Sequence, residues 1–77
     1  MKTTIPYEWK LDLEKNRTGA NIHDSRSLEL VLGTWFEFFE RNKKKNDEEQ
    51  MEYCRAKVNK TLKKGFEKGY FSYKHEL

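Results

Sequence analysis

Cysteine occurs once in this sequence, as Cys54, and proline once, as Pro6. A single thiol excludes an intramolecular disulfide and any metal site built from several cysteines, and it suits a reducing compartment, so the expected setting is the cytoplasm. Nothing in its neighbours Tyr53 and Arg55 activates that thiol, and Cys54 reads as a small buried hydrophobe. Long apolar runs are also missing: no stretch approaches the roughly 18 residues of a membrane span, and the N-terminus lacks the basic-then-apolar order of a signal peptide. No membrane partner is expected. The final Lys74-His75-Glu76-Leu77 has a faint likeness to a retention tail, and Asn16 and Asn59 each head an Asn-x-Thr pattern, but both signals act only along the secretory route. The sequence holds no glycine-rich phosphate loop, no paired-carboxylate motif and no metal-ligand spacing, so neither a cofactor nor a metal nor catalysis is expected.

What is present is a chain of 77 residues. That length is enough for one core, burying only about 60% of the extended chain's surface, and residues 1–77 are read as one domain. Apolar residues make up 35% and aromatics 14%, so a few large rings must supply core volume. Charged residues reach 38% but balance to a net +3. Their distribution is uneven. Residues 1–40 carry five basic and seven acidic side chains, and residues 41–77 carry eleven and six, so an anionic partner would meet the second half.

Ile5, Tyr7, Trp9, Leu11 and Leu13 alternate with Pro6, Glu8, Lys10 and Asp12, the period of a half-buried strand. Glu14 to His23 has no period and contains Asn16, Gly19 and Asn21, which predicts a loop with a turn near Thr18-Gly19. From Asp24 or Ser25 as cap, Leu28, Val31, Leu32, Trp35, Phe36, Phe38 and Phe39 fall on one helical arc; Leu30 points to the polar side and Gly33 weakens the helix by about 1 kcal/mol. The run Asn42 to Asn46 ends it, with lysines at the carbonyl end. Asp47-Glu48-Glu49-Gln50 has the form of a capping box for a second helix that presents Met51, Cys54, Val58 and Leu62 and stops at Gly65. Tyr70 to Lys74 suits a short second strand with Phe71 and Tyr73 inward, and Phe66 is placed to plug the core at the joint. The expected fold class is therefore α+β: a β-α-α-β order in which a helical hairpin covers one face of a two-stranded antiparallel sheet. Two strands alone are marginal, so the remaining stability has to come from the helices or from edge pairing with a second copy in a homodimer, and the two stand about equal.

Two constellations carry functional expectations. Leu30, Trp35, Phe36 and Phe38 are candidates for a protein interface, because so many rings exceed what a small core can cover. On the second helix Tyr53, Lys57, Lys60 and Lys64, flanked by Lys63, form a stripe that Lys43, Lys44 and Lys45 extend if the inter-helix loop folds to the same side, the arrangement of an ordinary solvated face, of a phosphate-tracking surface or of a surface for an acidic protein partner. The stripe contains no arginine, which argues against reading of bases in a groove. His23 and His75 lack partners in sequence and read as surface residues, while Asp24-Ser25 beside His23 lacks the geometry of a nucleophilic triad. The expectation is a small non-enzymatic binding module that regulates or inhibits a larger protein, with nucleic-acid binding as the alternative. The Lys, Asn and Glu bias suits an accessory protein of a low-GC bacterium or of its phages and mobile elements.

Overall fold

The computed structural model describes residues 5–77, and among them it contains three helices and no strand. Helix α1 spans Tyr7–Lys15, α2 spans Ile22–Lys45 and α3 spans Glu48–Glu67. The α+β expectation is overturned at both ends of the chain, and with it the sheet edge on which dimerisation was to be built.

The first expected strand fails because its alternation hides a second period. Ile5, Trp9 and Leu13 are four residues apart, and they are buried together with Asp12; Tyr7 and Leu11, from the same alternating set, are 71% and 47% exposed. Every fourth residue of a period-two pattern lies on one helical face, so the buried half of the pattern satisfies a helix equally well. Pro6 starts the helix instead of marking a sheet edge: it has no N–H to leave unpaired, and its carbonyl accepts from the backbone N–H groups of Trp9 at 3.1 Å and Lys10 at 3.2 Å. Nine residues are too few to hold a helix alone, so tertiary packing fixes α1.

Helix α2 begins earlier than expected, after Asn21, and Ser25 lies inside it, buried, rather than capping it. The preceding loop is tied by Asn21, whose side-chain oxygen accepts from the backbone N–H of Thr18 at 2.8 Å and whose amide donates to the carbonyl of Asn16 at 3.2 Å. Lys43, Lys44 and Lys45 occupy the last turn, where the helix dipole favours cations. Asn46 then takes the left-handed conformation (φ 58°), and the N–H groups of Asn46 and Asp47 close back on the carbonyls of Lys43 and Asn42. Asp47 immediately caps α3 by accepting from the backbone N–H of Gln50 at 3.2 Å, as the sequence implies. This short connection makes α2 and α3 an antiparallel hairpin, and a 24-residue helix of roughly 36 Å accounts for the 40 Å long axis of the molecule.

Helix α3 runs through Gly65 and stops at Gly69 (φ 81°), where the N–H of Gly69 bonds to the carbonyl of Phe66 and the N–H of Tyr70 to that of Gly65. Gly65 serves another purpose. A Cβ there would lie 2.6 Å from the Phe71 ring, so its hydrogen side chain makes room for Phe71 to pack back onto the helix. The second expected strand is an irregular tail in which the adjacent residues Tyr70 and Phe71 are both buried and Tyr73 is 66% exposed, which no alternation can produce. Phe66, expected as a plug, is 40% exposed; Phe71 takes that place.

The core joins Ile5, Trp9 and Leu13 of the N-terminal segment to Leu28 and Leu32 of α2, Val58 and Leu62 of α3, and Tyr70 and Phe71 of the tail. Cys54 is buried, as a hydrophobe would be, with the Asn42 amide 3.7 Å from its sulfur. Helix α1 and the tail lie together. Trp9 meets Phe36 edge-on at 5.5 Å, and Arg17 reaches α2 through Ser25 at 3.0 Å and Glu29 at 2.7 Å. The backbone N–H of Leu77 donates to Asn59 of α3 at 2.7 Å. Asp12 binds α1 to the tail: one carboxylate oxygen accepts from the Ser72 backbone N–H and the His75 ring, each at 2.9 Å, and the other accepts from the Asn16 amide at 3.0 Å. Burial raises the Asp12 carboxyl, but the hydrogen bonds from His75 and Ser72 outweigh it, and the net displacement is below the usual carboxylate range.

Candidate functional site

An antiparallel helix pair has two long seams. Helix α1 and the tail cover one, through Phe36, Ser25 and Glu29 of α2 and Asn59 of α3. The other carries Val31, Trp35 and Phe38 of α2 opposite Tyr53 and Lys57 of α3, and among the described residues no third helix lies over it. Val31 is 49% exposed, Phe38 41% and Tyr53 53%, an apolar surface that the one short third helix leaves uncovered.

The rings on this open seam form one cluster. Trp35 packs partly against the core and meets Phe38 edge-on at 6.0 Å and Tyr53 edge-on at 5.9 Å. The Lys57 ammonium lies over two of these rings, 5.7 Å from the Trp35 centroid and 5.4 Å from that of Tyr53. Contacts of this type are worth about 0.5–1 kcal/mol at exposed sites and keep the lysine stem flat on the rings. Toward the other end of the hairpin the seam opens into a groove of about 350 Å³ between the start of α2 and the end of α3. Leu28, Val31 and Tyr70 give it an apolar lining, and Lys60, Lys64 and Lys68 stand along its α3 side facing a single carboxylate, Asp24. None of Lys57, Lys60, Lys64 and Lys68 takes part in an ion pair among the described residues, whereas Lys10, Arg17, Arg41 and Arg55 each do.

The two sequence-derived constellations are thus redistributed. Of the interface candidates, Trp35 and Phe38 meet on the open seam, Phe36 turns to the covered side against Trp9, and Leu30 stands apart, 70% exposed. Of the lysine stripe, Tyr53 and Lys57 belong to the aromatic cluster, and Lys60 and Lys64 line the groove. Lys63 is exposed outside the groove. Lys43, Lys44 and Lys45 sit at the opposite end of the hairpin from Lys60 and Lys64, so they do not extend the stripe. Of the groove's lining only Lys60 and Lys64 were site candidates in the sequence reading, and Val31, Lys68 and Tyr70 are among the residues it missed. Lys68 continues the spacing of Lys57, Lys60 and Lys64 and becomes legible once the helix is carried past Gly65.

Elsewhere the polar residues are occupied structurally. Ser25 is buried under Arg17, away from any role beside His23, and His75 and Ser72 are held by Asp12 and Asn16. Among the described residues no group of three His, Cys, Asp or Glu side chains is arranged to hold a metal, and no helix is long and apolar enough to cross a membrane. Set against protein-family models, curated proteins and solved structures, the chain matches none.

Proposed function

We propose that this chain is a small non-enzymatic binding module that regulates or inhibits a larger protein by docking on it through the open seam of the α2–α3 hairpin. The observation that carries this is the Trp35-Phe38-Tyr53 cluster: Trp35 in edge contact with both other rings, which are themselves more than 40% exposed, on a side of the hairpin that no other helix among the described residues covers. Pre-positioned aromatic anchors are what concentrate binding energy in protein interfaces, because they bring large area at small entropic cost. The unpaired lysines keep nucleic acid as the second reading. Against it stand the absence of arginine from the seam and the engagement of Lys57 with the rings.

Affinity capture from the source cell separates the two. Immobilised wild-type chain, Phe38→Glu and Lys57→Glu/Lys60→Glu/Lys64→Glu are compared with and without nuclease and across a salt titration. Docking through the rings predicts proteins that survive nuclease and disappear with Phe38→Glu. Retention that ends with nuclease, and that falls steeply as salt rises, would instead establish nucleic-acid binding.

A further inference from the structure

The open seam is lopsided in charge. The α2 side offers Val31, Trp35 and Phe38; the α3 side offers Lys57, Lys60, Lys64 and the adjoining Lys68, without an ion-pair partner among the described residues. From Asp24 to Phe38 the seam follows α2 for 15 residues, roughly 21 Å or four helical turns. The groove and the ring cluster lie end to end along it, joined by Val31 and Trp35, which are one turn apart. A basic rail beside a continuous apolar trough matches one kind of occupant in both chemistry and length.

Resting on the docking role proposed above, we infer that the partner presents an acidic amphipathic helix of about four turns. Its apolar stripe fills the trough from Leu28 to Phe38, and carboxylates on one flank pair with Lys60, Lys64 and Lys68. Lys57 is the pivot of this arrangement. Its ammonium lies over Trp35 and Tyr53 and pairs with no carboxylate among the described residues, so the same residue serves the apolar and the charged half of the interface. The lone Asp24 at the groove's α2 side sets polarity by repelling a helix laid with its acidic flank toward α2.

The test uses fluorescence anisotropy of the full chain with designed 18-residue helical peptides. The first carries Leu and Phe at i, i+3, i+4 and i+7 with glutamate along one flank. A second replaces those glutamates by lysine, a third replaces the apolar residues by serine, and a single-stranded oligonucleotide of 20 nucleotides is the fourth probe. The first peptide is expected to bind at least tenfold more tightly than any other. Val31→Glu and Lys60→Glu/Lys64→Glu should each reduce that binding at least tenfold, and Tyr7→Ser/Leu11→Ser on α1 should leave it unchanged. The Lys60→Glu/Lys64→Glu chain should also acquire binding to the lysine peptide, a gain that a misfolded variant does not show. Equal binding of the acidic and lysine peptides, both lost with Phe38→Glu, would overturn the acidic-partner inference while leaving docking through the rings intact. Preference for the oligonucleotide, absence of binding by all four probes, or a stable homodimer that Phe38→Glu disperses would also overturn it.

Discussion

Gly65 sits inside a helix, where alanine normally adds about 1 kcal/mol of stability over glycine. Here the sign reverses. A methyl group would meet Phe71 at 2.6 and 2.7 Å and Leu28 at 3.3 Å, and the Phe71 ring is itself buried and cannot swing away. Gly65→Ala is therefore expected to destabilise the fold by about 1–3 kcal/mol, seen as a lower urea midpoint with little change in slope. Asp12 makes the second prediction at this scale. Its carboxyl is depressed in the folded chain, so the stabilisation it supplies is fully present above the unfolded value near pH 4 and is lost as pH falls through the lower folded value. Urea titrations from pH 7 to 2 should show this acid decline in the wild type, and Asp12→Asn should lose about 1–3 kcal/mol at pH 7 and flatten the decline.

At the scale of elements, α1 is decided by two leucines. A strand with one buried face would need Leu11 and Leu13 equally, whereas the helix buries Leu13 completely and leaves Leu11 47% exposed. Leu13→Ala should cost about 2–5 kcal/mol and Leu11→Ala less than about 0.5 kcal/mol; equal losses in thermal or urea unfolding would refute the helical assignment. The same pair explains what the sequence could reveal. Helices α2 and α3 were legible because their apolar spacings have only one solution and Asp47 announces the second start. The N-terminal pattern was not, since Ile5, Trp9 and Leu13 serve either period and the choice rests on whether a sheet partner exists. None exists among the described residues, because Phe71 packs into the space that Gly65 leaves and Tyr70 beside it is buried as well, a tertiary demand that local propensity cannot register. The open seam was half legible: Trp35, Phe38, Tyr53 and the lysines were singled out, but in two separate sets. Their union depends on which side of the hairpin α1 covers.

For the whole molecule, one short helix and eight tail residues close the core of a 73-residue described unit. Removing residues 70–77 would strip Tyr70 and Phe71 from the core and release Asp12 and Asn59 from their partners. Deleting a single buried phenylalanine costs about 3–5 kcal/mol, against roughly 5–15 kcal/mol holding a domain together. The shortened chain should keep helical circular dichroism in α2 and α3, bind a hydrophobic dye and lose its sharp thermal transition. Persistence of a cooperative melt would show that the tail is dispensable.

Asp12 and Ser72 are 60 positions apart along the chain, and Asp12 and His75 are 63 apart. The hairpin, by contrast, zips up from neighbours across Asn46 and Asp47. Closing a loop that long is entropically slow to reward, so the hairpin is expected to form first as a platform and the two ends of the polypeptide to clasp each other across it last. A clasp made after the rate-limiting step governs how long the native state survives rather than how quickly it is reached. The Asp12→Asn chain is accordingly expected to unfold faster while folding at nearly the wild-type rate, which stopped-flow traces across a urea series would check.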